Sequence, residues 1–172
     1  MKKVTFFAAI AMIAFTTNAV AQSTAETFAV TNATVITPIT ITKDVDMNFG
    51  NLVATAAGGA IVLPTTGART GDAAILLGTQ NGTVTAASFT VTGETDFTYA
   101  ITLPAAPFNV SNADATPATM EVGTFVSSPD ATGTLTSGTE TLIVGATITL
   151  LADQASGAYT NASDLAVIVY YN

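Results

Sequence analysis

A chain of 172 residues with 12 acidic and 4 basic side chains, and no Cys, His or Trp, lacks whole classes of chemistry. It has no imidazole or thiol for a Ser-His-Asp relay, a Cys nucleophile, a disulfide, or a His- or Cys-ligated metal or iron–sulfur centre. Two of the cations are Lys2 and Lys3; from residue 22 onward only Lys43 and Arg69 face the same 12 acids, a net charge of −10, so nucleic acid is excluded as an expected partner.

The first segment is an address. Met1-Lys2-Lys3 is a positive head, Val4 to Phe15 an uncharged apolar run of 12 residues, and Ala19-Val20-Ala21 places small residues where signal peptidase reads. A bilayer span takes about 20 apolar residues, so the run is too short for an anchor. The expected layout is a signal peptide over 1–21, cut between Ala21 and Gln22 with Ala19 at the other recognition position. An N-terminal extension or first strand over 22–33 and a sandwich domain over 34–172 follow. No Cys follows the cut to carry a lipid, and no later stretch is apolar for long enough to span a membrane. The expected destination is the periplasm, the cell surface or the medium, with no integral membrane segment in the mature chain. A disulfide-free exported domain rests on its core alone, and about 150 residues bury about 70% of the unfolded surface.

After the address the chain is dense in Thr, Val, Ala and Gly. β-Branched residues suit strands, and no window carries an i, i+3, i+4 apolar stripe. The expected class is all-β, one antiparallel sandwich. Phe28 and Val30 alternate, with Ile36 in register further on, so residues 22–33 can form one strand. That strand closes its own sandwich over 25–37, or is donated to another subunit. Asp44-Val45-Asp46-Met47-Asn48 offers oxygens at alternate positions, but Phe49 and Thr55 stand where an EF-hand loop needs Gly and Glu; a solvated strand face is the simpler reading of Asp44 and Asp46. Arg69, within Gly67-Ala68-Arg69-Thr70-Gly71, is expected to tie a turn to carbonyls or to a carboxylate such as Asp72.

Further along, Ser88–Thr92 and Phe97–Leu103 read as a hairpin across Gly93-Glu94-Thr95-Asp96. Glu94 and Asp96 there read as turn chemistry and not as a glycosidase pair. The stretch from Pro104 to Pro117 has room for a short edge strand at Phe108-Asn109-Val110. Sequons at Asn32, Asn81, Asn109 and Asn161 matter only where glycosylation machinery exists. Leu142, Val144, Ala146, Ile148 and Leu150 alternate with polar residues as in a half-buried strand. In the C-terminal strand Leu165, Val167, Val169 and Tyr171 form one face, while Ala166, Ile168 and Tyr170 make the other face apolar too, as for a strand covered on both sides or touching a partner.

Four stretches carry a resemblance: Pro38–Thr42 leading to Met47-Asn48-Phe49-Gly50; Pro64–Arg69; Phe89–Gly93 followed by Tyr99–Pro104; and Val167–Asn172. In that order the chain resembles an exported bacterial family, domain of unknown function 4402, which is similar in turn to spore-coat-U and chaperone–usher pilin domains. The resemblance implies an immunoglobulin-like, pilin-like β-sandwich used as a surface or filament subunit. Its partners would be other copies or related surface subunits and a periplasmic chaperone. It brings no catalytic residue, no cofactor and no metal. Many chaperone–usher pilins carry a disulfide, and this chain departs from them in having no Cys.

The expected function is therefore a non-enzymatic, exported structural or surface protein that assembles by β-strand addition. The alternative is a self-contained secreted β-sandwich binding module, an adhesin or glycan binder. Against it, sugar faces stack on exposed aromatics, and the four Tyr mostly fall within strand patterns.

Overall fold

The computed structural model describes residues 24–76 and 79–172. The chain divides into two units, Met1–Thr34 and Val35–Asn172. Of the first, residues 24–34 are described and contain neither helix nor strand, and Phe28 and Val30 are each 86% exposed. The proposed cleavage residues Ala19, Ala21 and Gln22 lie outside the described residues.

The second unit is an antiparallel β-sandwich. Its strands are β1 (Thr40–Val45), β2 (Gly59–Leu63), β3 (Thr70–Gly71), β4 (Ala87–Thr92), β5 (Thr98–Thr102), β6 (Phe108–Ser111), β7 (Thr119–Ser128), β8 (Thr132–Thr134), β9 (Thr139–Leu150) and β10 (Ile168–Tyr171). The expectation of a strand-built fold holds: among the described residues there is no α-helix. Residues 25–37 are assigned no strand.

The long β9 organises the larger sheet. Its inward residues Leu142, Val144, Ala146, Ile148 and Leu150 are all buried, as their alternation with Thr requires. One edge of β9 pairs with β7 over residues 143–149; β4 pairs with 139–144 and β2 with 146–150. A strand has only two edges, so β4 and β2 lie end to end along the other one. β1 continues the sheet beyond β4, β3 beyond β2, and β6 beyond β7. The edge strand expected around Phe108 is β6, whose free side is capped by the Ser111–Thr160 bridge and by the Asn161 amide on the Asn109 carbonyl. That is the usual protection of an edge.

The smaller sheet, in the order β10-β5-β8, covers the first half of β9 and its neighbours. Tyr99 of β5 and Leu135 meet Phe89 and Val91 of β4 and Leu142 and Val144 of β9 in one buried cluster. The second half of β9 has a separate cluster with Ile61, Met120 and Val122, flanked by loop residues Phe49, Leu52 and Tyr159 in place of a second sheet.

The hairpin expected at 88–103 is not formed. β4 belongs to the larger sheet and β5 to the smaller, so Gly93–Phe97 crosses from one layer to the other. Phe89 and Val91 face Tyr99 across the core. Alternation assigns each strand an inward face, which it would have in either arrangement. The backbone enforces the crossing: Asp96 has φ 63°, and Gly93 lies so close to the Tyr171 hydroxyl and Leu135 that a Cβ would collide with both.

A bulge in β7 shifts its phase. Between Gly123 and Val126 the register slips by one residue against β9, with Thr124 at φ 49°. Before the bulge Met120 and Val122 point inward; after it Phe125 does, stacking on Phe108 with ring centroids 5.4 Å apart.

Candidate assembly edge

The hydrogen-bond phase of the ladders decides which backbone groups are free at the sheet edges. In an antiparallel pair, a residue turns both its N–H and its C=O to the same neighbour, and successive residues alternate sides. Asn172 N–H donates to the Thr98 carbonyl at 3.3 Å, so the residues of β10 that bond β5 are Ile168 and Tyr170. The other side of β5 agrees, with Ile101 N–H donating to Ala131 at 2.9 Å and the Phe97 carbonyl accepting from Leu135 at 2.9 Å. Val169 and Tyr171 therefore turn their N–H and C=O groups outward, away from β5, while their side chains pack inward on the core.

The edge of the facing sheet has the same phase. Gly93 N–H donates to the Gly138 carbonyl at 3.0 Å, so Val91 and Phe89 bond β9, and Thr90 and Thr92 bond β1. Ile41 is left with its backbone pointing away from β4 and its side chain in the same core cluster as Val169 and Tyr171. No described strand pairs with either outer edge.

Between these two edges the core is thinly covered. Ile39, Ile41, Leu165, Val167, Val169 and Tyr171 all pack on the cluster yet are only partly buried, while Tyr99, Val91 and Leu142 behind them are fully buried. Of the four C-terminal positions named from sequence, Val169 and Tyr171 lie on β10, while Leu165 and Val167 fall in the unpaired stretch before it, so the strand is shorter than expected although all four pack on this cluster. The opposite face of β10 is not covered: Ile168 is 56% and Tyr170 54% exposed.

Tyr171 pins one end of this opening. Its hydroxyl accepts from Glu94 N–H at 2.6 Å and donates to the Thr37 carbonyl at 2.7 Å, and its ring meets Phe97 edge-on at 5.6 Å. Thr37 N–H donates to the Glu94 carboxylate at 2.8 Å. That hydrogen bond holds the Glu94 pKa below the usual carboxylate range. The last strand, the start of β1 and the crossing after β4 are tied together by one phenol. Sequence reading placed Tyr171 on the inward face but missed this junction; the one available signal was glycine beside glutamate at 93–94.

A model of the family described as a domain of unknown function, DUF4402, matches residues 39–171. The chain belongs to this family. No curated protein and no solved structure matches it. The matched segment of this DUF4402 protein begins at Ile39, so Phe28, Val30 and Ile36 precede the matched domain. Ile36 is 36% exposed, and Val35 beside it 97%.

The other residues weighed from sequence have structural partners. Asp44 accepts from the Thr90 hydroxyl at 2.8 Å, and Asp46 pairs with Lys43 at the surface. Arg69 does tie a turn to a carbonyl, bonding the Phe49 carbonyl and the Asn81 side chain instead of Asp72. Burial holds its pKa below the ordinary guanidinium value. Glu94 and Asp96 belong to the crossing. Asp72 caps its own turn, accepting from Ala74 N–H at 2.8 Å.

Proposed function

We propose that this DUF4402 protein is an exported, non-enzymatic structural or surface subunit that assembles by β-strand addition at the edge bordered by β10 and β1. The observation that carries the reading is the phase of β10: Val169 and Tyr171 offer unpaired backbone groups beside a half-covered apolar core. Folded proteins blunt such edges with Lys, Pro or a covering loop; residues 165–172 contain no charged residue and no Pro. A strand pairing there turns every second side chain into the core, so it must alternate apolar and small or polar residues.

Phe28 and Val30, alternating with Thr27, Ala29 and Thr31 and fully open to solvent, have that pattern. In this reading the segment around them, from one copy, fills the edge of the next, and copies of the chain or related subunits are the partners. Export follows from the signal-peptide pattern of residues 1–21 and brings the product to the periplasm, surface or medium. The β-strand donor mode matches the pilin-like character that the sequence resemblance implies.

The test compares the mature chain with one lacking residues 22–33, by negative-stain microscopy and size-exclusion chromatography. The truncated protein is expected to stay folded and monomeric while the longer one forms linear assemblies, and Phe28→Asp is expected to weaken assembly. Assembly that survives the truncation overturns the donor assignment. Loss of folding on truncation places the segment in its own sandwich.

A further inference from the structure

The turn at Asn81-Gly82 sets an exposed asparagine beside a cation that has no carboxylate partner. Of the chain's asparagines only Asn81 is followed by Gly. Glycine has no Cβ to shield its backbone nitrogen, so that nitrogen faces the Asn81 side chain without the obstruction present after every other asparagine. Gly82 has φ 65°, and both residues are exposed, so water reaches them.

Two neighbours hold this turn. Asn51 N–H donates to the Asn81 carbonyl at 2.7 Å, and the Asn51 side-chain amide donates to the Gln80 carbonyl at 2.9 Å. The Arg69 guanidinium donates to the Phe49 carbonyl and, at 3.1 Å, to Asn81 Oδ1. Arg69 is half-buried, and burial lowers its pKa. Among the described residues Lys43–Asp46 is the only ion pair, so the guanidinium bonds neutral oxygens alone. A carboxylate in place of the Asn81 amide would add opposite charge and a second acceptor oxygen for the planar fork.

We propose that Asn81 is a site of self-modification: it deamidates through a succinimide with Gly82, and the aspartate formed latches onto Arg69. The Gly82 nitrogen loses its proton to water and bonds to Asn81 Cγ; the bond from Cγ to the side-chain nitrogen breaks, and ammonia leaves with the proton returned. Water then opens the imide at Cγ, which restores the ordinary main chain and leaves a carboxylate where the amide stood. Water is consumed and ammonia released, with no change of oxidation state. Arg69 acts twice. Its bond to Oδ1 favours charge on the oxygen that turns anionic during attack, and it then pairs with the product. Opening at the main-chain carbonyl would instead give isoaspartate and displace the carbonyl that Asn51 bonds. The latch ties together the segments at Phe49, Arg69 and Asn81 and stands independently of the edge proposed for assembly.

The test is mass-spectrometric peptide mapping of the purified chain after incubation at mildly alkaline pH. Conversion is expected at Asn81 ahead of every other asparagine, with aspartate among the products. Arg69→Gln is expected to slow it about threefold to tenfold, the scale of one hydrogen bond from a charged donor at a half-exposed position, and Arg69→Lys to slow it less. Asn81→Asp supplies the product directly and is expected to raise Tm by about 1–4 °C, a gain lost when it is combined with Arg69→Gln. An unconverted Asn81, or isoaspartate as the sole product, overturns the proposal. So does undiminished conversion in Arg69→Gln, because Arg69 would then only restrain the loop. Asn81→Asp without a gain in Tm overturns the latch.

Discussion

At the scale of single residues, Tyr171 and Tyr99 make opposite use of a phenol. The Tyr171 hydroxyl is satisfied twice, by Glu94 N–H and the Thr37 carbonyl. Tyr171→Phe removes both bonds and leaves a partly buried N–H unpaired, a loss of about 1–3 kcal/mol, measurable as a lower denaturant midpoint. Gly93→Ala is expected to cost about as much by overpacking, since its Cβ would meet that hydroxyl and Leu135. The Tyr99 hydroxyl, by contrast, is buried without a hydrogen-bond partner. Burial and the neighbouring Glu140 carboxylate push its pKa up. Glu94 adds a pH dependence. Its folded pKa is depressed by the Thr37 bond, so its contribution is present above the unfolded carboxylate value of about 4.3 and is lost as pH falls through the folded one. Protection of the Thr37 amide, measured against its intrinsic exchange rate at each pH, should fall in that acid window, and Glu94→Gln should remove that fall.

At the scale of elements, alternation was legible and pairing was not. The inward residues of β9, the edge strand β6 and the inward face of β10 follow from period-two patterns. The crossing from β4 to β5 does not, because two strands facing each other through a core have the same pattern as two strands side by side. The bulge at Gly123–Val126 breaks the period in mid-strand, which hides Phe125 from any alternation count. The edge proposed for assembly was legible only as an apolar C-terminal strand; its hydrogen-bond phase depends on Asn172 meeting Thr98, a contact between residues far apart in sequence. The phase yields a sharp pair of variants. Val169 N–H points outward, so Val169→Pro keeps the ladder to β5, and Pro is tolerated on an edge with its missing N–H toward solvent. Tyr170 N–H points to β5, so Tyr170→Pro breaks a ladder bond at a cost of about 3 kcal/mol, the scale of Pro placed where an N–H is bonded. Val169→Pro is expected to stay folded by circular dichroism but fail to assemble. Assembly by folded Val169→Pro would exclude pairing along β10.

At the scale of the whole molecule, charge and edge pull in different directions. From residue 22 onward the chain carries −10, which keeps like copies apart at long range, while the surfaces proposed to meet carry little net charge: residues 24–34 hold only Glu26, residues 165–172 hold no charged side chain, and β1 holds Lys43 and Asp44, which cancel. Repulsion between copies acts on the approach and is screened by salt, the Debye length falling from about 30 Å at 0.01 M to about 8 Å at 0.15 M. The contact itself, made of backbone hydrogen bonds and apolar side chains, has little charge for salt to screen. Raising the ionic strength over that range should therefore speed assembly of the mature chain markedly and leave its dissociation rate nearly unchanged. Light scattering after a salt jump measures the first, and dilution of preformed assemblies into matched salt measures the second. Slower assembly in salt, or dissociation that accelerates with it, would mean that ion pairs hold the copies together, and the uncharged β10 edge would not be where they join.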